Sequence, residues 1–137
     1  MNETLPAALA LHVRALTAAR DGDLAAATEA FTEAQRWEAS HGYERAALHT
    51  SHQMALTMNF NGDLMRLRKY YDETLGTLKR LRNREGMALC LRTIGELALV
   101  NGSRAETDKA WELSERLFTA LGLNEARQLA AWRAALP

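Results

Sequence analysis

The chain has 137 residues, of which 47% are hydrophobic and 25% charged, the composition of a globular protein with a buried core. Lys and Arg number 17, as do Asp and Glu, so the net charge is zero, which argues against a general nucleic-acid binder. The single cysteine excludes an internal disulfide. Neither a signal peptide nor a membrane-spanning apolar run is apparent, so we expect a cytoplasmic protein with no membrane partner.

Good helix formers dominate the chain, and its two prolines, Pro6 and Pro137, leave the interior free of the strongest helix breaker. No segment shows the alternating apolar pattern of a strand. The sequence therefore predicts an all-α fold. In chain order, the predicted helices span residues 6–20, 23–40, 43–60, 63–81, 84–100, 104–120 and 124–135.

Glycine-containing triplets recur every 40 residues, at 21–23, 61–63 and 101–103. Glycine tolerates the positive φ that ends a helix, and the Asp or Ser after it can cap the next helix. A second set of junctions lies about 20 residues further on. This period predicts three helical hairpins in a single domain over 1–137. The predicted repeats span residues 6–42, 43–82 and 83–122, followed by a capping helix at 124–135.

Each hairpin carries an aromatic residue between two positions that are small in the first and third repeats, but are occupied by Leu67 and Thr74 in the second. The triplets are Ala27, Phe31 and Ala34, then Leu67, Tyr71 and Thr74, then Thr107, Trp111 and Ser114. With Ile94 and Gly95 in the third repeat, this pattern resembles the tetratricopeptide repeat (TPR). The 40-residue unit is longer than the usual 34 and looks like the variant in sensor regions of bacterial signal-transduction ATPases and maltose-regulator-type transcription factors. The resemblance implies a right-handed α-solenoid of three hairpins plus the capping helix.

The resemblance also implies where a partner binds, because the first helix of each TPR hairpin lines the concave side of the array. The transferred positions are His12, Leu16, Arg20, His49, His52, Leu56, Phe60, Leu89, Arg92, Glu96 and Val100. They mix apolar and basic side chains, which suits an amphipathic helix or an acidic peptide end. We therefore expect a protein- or peptide-binding adaptor or regulator. The alternative is that these are ordinary half-exposed helix residues.

A self-assembling structural protein is the second hypothesis, because a short solenoid leaves apolar ends that a second copy could cover. Trp37 and Trp132 are the candidates for a homodimer contact, although Trp132 could instead complete the core. An enzyme is not expected, since the sequence shows no phosphate-binding loop and no recognisable set of nucleophile and base.

Three further features have both a structural and a functional interpretation. His49 and His52, with His12, could hold zinc or form a pH-sensitive contact, but they lack the intervening Glu of His-Glu-x-x-His. We expect no metal or cofactor. Cys90 is expected to be a buried small residue. Cations cluster from Arg66 to Arg84 and form either a solvated outer face or a surface for an anionic partner.

Overall fold

The structure is a computed structural model that describes residues 5–137, and over these residues it contains seven helices and no strand. The helices are α1 Ala7–Arg20, α2 Leu24–Ser40, α3 Glu44–Asn59, α4 Leu64–Arg80, α5 Arg84–Val100, α6 Arg104–Ala120 and α7 Glu125–Ala134. Each predicted helix is confirmed, with both ends within one residue of the predicted position. No helix in 5–137 is long and apolar enough to cross a membrane.

Five of the six helix junctions share one backbone conformation, which the first junction illustrates. Gly22 has a φ of 88°, and the N–H of Asp23 reaches back 2.9 Å to the carbonyl of Ala18, which satisfies a carbonyl at the end of α1. The Asp23 carboxylate then accepts a 3.0 Å hydrogen bond from the N–H of Ala26 and caps α2. At these five junctions the positive-φ residue is Gly22, Gly42, Arg82, Gly102 or Gly122, whereas the junction after α3 has two such residues, Asn61 and Gly62.

The described chain forms two compact units, one ending at Leu67 and the other running from Arg68 to Pro137. In the first unit, α2 packs against both α1 and α3. Alanines make up most of its core, so these helix backbones can approach closely. The core side chains of this unit include Ala8, Leu9, Ala15, Leu16, Ala19, Ala27, Ala30, Phe31, Ala34, Ala46 and Ala47. The single domain predicted over 1–137 stays a prediction.

In the second unit, α5 is the central helix, because every residue from 90 to 98 is buried. It packs against α6, and α6 packs in turn against α7. Bulky side chains dominate this core, unlike the alanine-rich core of the first unit. They include Leu91, Ile94, Leu97, Trp111, Phe118, Leu129 and Trp132.

The small positions of α6 hold polar residues that bond to the backbone of α5. The Thr107 hydroxyl donates to the carbonyl of Gly95 at 3.0 Å, and the Ser114 hydroxyl donates to that of Ala88 at 2.6 Å. Both side chains are fully buried, so these bonds offset the cost of placing hydroxyls in the core. They fix the position of α6 against α5.

Helix α7 is held on both its inner and outer sides. Leu129 and Trp132 are buried, which confirms the interpretation of Trp132 as a core residue. At the partly exposed side, the Arg133 guanidinium lies 3.0 Å from Glu115 and 3.3 Å from Asp108 on α6. The hydrogen bond to Glu115 raises the pKa of Arg133 above its ordinary value.

Candidate functional site

His12 lies in a closed polar cluster inside the first unit. Its Nε2 atom lies 3.6 Å from a carboxylate oxygen of Glu38 and 3.4 Å from the Thr50 hydroxyl. The Thr50 hydroxyl also donates a hydrogen bond to Glu38. The cluster joins α1, α2 and α3, and all three side chains are fully buried. An imidazole, a carboxylate and a hydroxyl can transfer protons to or from a substrate in an open cleft. Here all three groups are buried, so a substrate cannot contact them.

A second closed cluster surrounds Arg92 in the second unit. Its Nη1 donates to the Gln128 side chain on α7 at 2.6 Å, and its Nε lies 3.6 Å from a Glu96 oxygen one turn along α5. The guanidinium carbon lies 5.1 Å from the centre of the Trp132 ring. Arg92 and Glu96 are fully buried, so the guanidinium ties α5 to α7 rather than facing solvent.

Four of the predicted partner-binding residues are therefore core residues: His12, Leu16, Arg92 and Glu96. A partner cannot touch these side chains while the helices keep this packing. The reason is tertiary: Glu38 and Gln128 come from other helices and contact His12 and Arg92 inside the units. Arg20 is exposed beside Asp21, and Leu89 and Val100 are half-buried.

Helix α3 is different, because the remaining predicted partner-binding residues lie on it or at its C-terminal end, and all of them are at least partly exposed to solvent. His52 is exposed, while His49 and Leu56 are half-buried. Leu48, one turn before His52, is 75% exposed, and Ala55 is also exposed. Leu48, His52, Ala55 and Leu56 follow the i, i+4, i+7, i+8 spacing of one helix side. We call these four residues the open α3 face.

Phe60 lies at the C-terminal end of α3, beyond the open α3 face. It is half-buried, and the guanidinium carbon of Arg66 lies 5.5 Å from the centre of its ring. The exposed Arg66 thus covers part of this aromatic surface.

Residues 40 apart in the sequence hold equivalent positions in successive repeats, and comparing them shows that the open α3 face is unusual. Positions equivalent to Leu48, His52 and Ala55 in the other first helices are all buried. In α1 they are Ala8, His12 and Ala15, and in α5 they are Ala88, Arg92 and Gly95. Leu48 was not among the predicted residues, although its place one turn before His52 and two turns before Leu56 is a signal that could have found it.

The other candidate residues for metal binding or nucleophilic chemistry are either buried or not arranged to hold a metal ion. Among residues 5–137, no group of three His, Cys, Asp or Glu side chains is placed to hold a metal ion. Cys90 is buried, as predicted, and its thiol donates to the Tyr71 carbonyl at 3.2 Å. Burial raises the pKa of Cys90 to about 12, with a smaller contribution from Asp72. Burial also raises the pKa of Tyr71, so neither group is an activated nucleophile at neutral pH.

The two tryptophans considered for a homodimer contact are both engaged within their own units. Trp37 is half-buried and stacks on the His41 ring at 3.9 Å, with Tyr43 at 6.1 Å. Trp132 is buried against Trp111 at 5.4 Å.

No protein-family model, curated protein or solved structure matches this chain.

Proposed function

We propose that this chain is a TPR-like helical-repeat module that binds another protein through the open α3 face. The three-hairpin register, the buried aromatic residues Phe31, Tyr71 and Trp111 at 40-residue spacing and the capping position of α7 support a right-handed solenoid of this type. In this proposal the chain acts by binding rather than by catalysis. It serves as an adaptor or regulator.

The exposure of α3 is the observation that carries the proposal. The same register positions are buried in α1 and α5, whereas α3 presents Leu48 at 75% exposure beside His52 and Ala55. Exposed apolar side chains that line one side of a helix are typical of protein-interaction surfaces. Burying Leu48 alone would contribute about 2 kcal/mol to binding.

The chemistry of this face favours an amphipathic helix as the partner. Leu48 and Leu56 lie two turns apart, so they can meet apolar residues at helical spacing on the partner. Ala55 leaves space for close helix approach. His52, between the two leucines, can hydrogen-bond a carboxylate or a hydroxyl on the partner.

The test is partner capture from the native cell with matched variants. Leu48→Glu places a charge in the apolar contact and should reduce recovery of the specific partner by at least about tenfold. Leu113→Glu is the control, because Leu113 is a partly exposed leucine (40%) on α6. Circular dichroism should show equal helicity for both variants. Recovery of the same proteins in the same amounts with Leu48→Glu and Leu113→Glu would contradict this binding surface.

A further inference from the structure

The segment from Lys79 to Arg84 concentrates positive charge at the junction between α4 and α5. Its sequence is Lys-Arg-Leu-Arg-Asn-Arg, and all six residues are exposed. Four of the chain's 17 Lys and Arg residues lie here with no Asp or Glu, so the other 131 residues carry 13 cations against 17 carboxylates. We call these six residues the basic turn.

None of these four cations has an ionic partner within the described chain. Lys79, Arg82 and Arg84 form no ion pair with any residue in 5–137, and Arg80 donates only to the Thr77 hydroxyl, at 3.0 Å. The dipole of α4 accounts for Lys79 and Arg80, which lie in its last turn. It does not account for Arg82, beyond the helix, or Arg84, which begins α5 where a dipole favours anions.

Arg82 has a backbone conformation that favours glycine. Its φ is 56°, and each of the other five junctions has a glycine with positive φ, accompanied at the junction after α3 by Asn61, whose φ is 53°. A side chain in this conformation costs free energy that glycine would not. The fold alone therefore favours glycine at 82, and the sequence instead places a cation there.

Leu81 indicates what kind of anion the basic turn fits. It is 70% exposed and lies between Arg80 and Arg82. A nucleic-acid backbone offers a leucine no apolar contact, and the basic turn has no aromatic residue on which a base could stack. One leucine with four cations is also a weak membrane anchor, because stable anchoring needs more buried apolar surface. A peptide carries carboxylates and apolar side chains together.

We propose that the basic turn binds an acidic segment of another protein, in which carboxylates pair with Arg82 and Arg84 and an apolar side chain covers Leu81. Guanidinium groups match carboxylates in a bidentate geometry, which makes arginine suited to this role. This surface lies in the second unit and does not depend on the open α3 face, so either proposal can fail without the other.

The test uses a short fluorescein-labelled peptide that repeats Glu-Glu-Leu, and a matched peptide with Ser in place of Leu. Fluorescence anisotropy should show salt-sensitive binding of the Leu peptide to the wild-type chain. Arg84→Gln should weaken it about threefold. Leu81→Ser should weaken the Leu peptide about tenfold and leave the Ser peptide unchanged.

Arg82→Gly distinguishes the contribution of Arg82 to peptide binding from its effect on the stability of the fold. It should weaken peptide binding about threefold while raising the melting temperature by about 4 °C, because glycine relieves the backbone. Arg116→Gln is the control, since it removes an exposed cation elsewhere in the same unit and should leave binding unchanged.

Two kinds of result would overturn the proposal. One is the absence of any anisotropy change with the Leu peptide, or an equal loss of binding in Arg116→Gln and Arg82→Gly. The other is tighter binding, through these same residues, to oligothymidine or to phosphatidylcholine vesicles containing one-third phosphatidylserine. That result would assign the basic turn to a nucleic acid or a membrane.

Discussion

His12 in the first unit and Arg92 in the second hold the same place in the 40-residue register, and both are fully buried. His12 meets the Glu38 carboxylate, which comes from α2, while Arg92 meets Glu96 on its own helix and Gln128 on α7. The difference between the two groups is chemical. Histidine can give up its proton, whereas arginine stays charged, so the two clusters should respond differently when they lose their carboxylate.

A second pair of equivalent positions shows that the two cores divide a similar volume differently between neighbouring residues. Ala15 and Phe31 are buried in the first unit, and the equivalent residues in the second unit are Gly95 and Trp111. A Cβ on Gly95 would collide with the Trp111 indole. The indole Nε1 donates to the Arg92 carbonyl at 3.0 Å, so the missing Cβ is what lets it reach the α5 backbone. A larger aromatic residue is thus matched by a smaller neighbour.

The largest expected effect is the loss of Glu96. Glu96→Ala removes a buried carboxylate that lies 3.6 Å from the charged, fully buried Arg92 guanidinium, and should reduce the free energy of unfolding by about 4 kcal/mol. Urea denaturation measures this difference. Glu112→Ala removes a part-exposed carboxylate 3.8 Å from Arg133 and should cost less than about 1 kcal/mol. Equal costs for both variants would contradict the closed Arg92 cluster.

Gly95→Ala should reduce the free energy of unfolding by about 3 kcal/mol, because the added methyl displaces the Trp111 indole. Adding Trp111→Phe, which recreates the pairing of the first unit, should recover part of that loss. The control is Gly76→Ala, where the Cβ meets only the end of the Arg80 side chain, at 3.9 Å. Additive effects of Gly95→Ala and Trp111→Phe would show that these residues do not share one volume.

Glu38→Ala should cost less than Glu96→Ala, about 2 kcal/mol, because His12 can become neutral and only uncharged polar groups lose a partner. Thermal denaturation at neutral pH measures the loss. Glu33→Ala, at an exposed position of the same helix, is the matched control and should be nearly neutral. A larger cost for Glu38→Ala than for Glu96→Ala would reverse the comparison between the two clusters.

The smallest expected effect is a pH dependence that involves Cys90. Its raised folded-state pKa, about 12, means that the thiol ionises first in the unfolded chain, so stability is complete below about pH 9 and falls as pH rises toward 12. Between pH 7 and 10, the wild type should lose about 1 kcal/mol more than Cys90→Ala. Parallel losses in the two proteins would place the thiol in a solvated site.

The helices could be predicted because the residues that begin and end each of them are neighbours in the sequence. Gly22 and Asp23 terminate one helix and cap the next through their own backbone and side chain, so the junction can be read directly from the triplet. The burial of Phe31 and Trp111 follows from helical periodicity in the same way.

The sequence could not predict which polar side chains are buried by contacts with other helices. The burial of His12 depends on Glu38 and Thr50, which come from other helices, so periodicity within α1 cannot reveal it. One signal was present: Glu38 lies one turn after the buried Ala34 and continues the apolar side of α2. A charged residue at such a position indicates a buried partner.

Carbethoxylation of histidines with diethyl pyrocarbonate, followed by mass spectrometry, tests most directly whether α3 alone presents its register positions to a partner. His52 should react quickly in the native protein, whereas His12 should react only as fast as the first unit unfolds. Binding of the captured partner should protect His52. Equal native reactivity of His12 and His52, or a partner that leaves His52 reactive, would contradict the open α3 face as the binding surface.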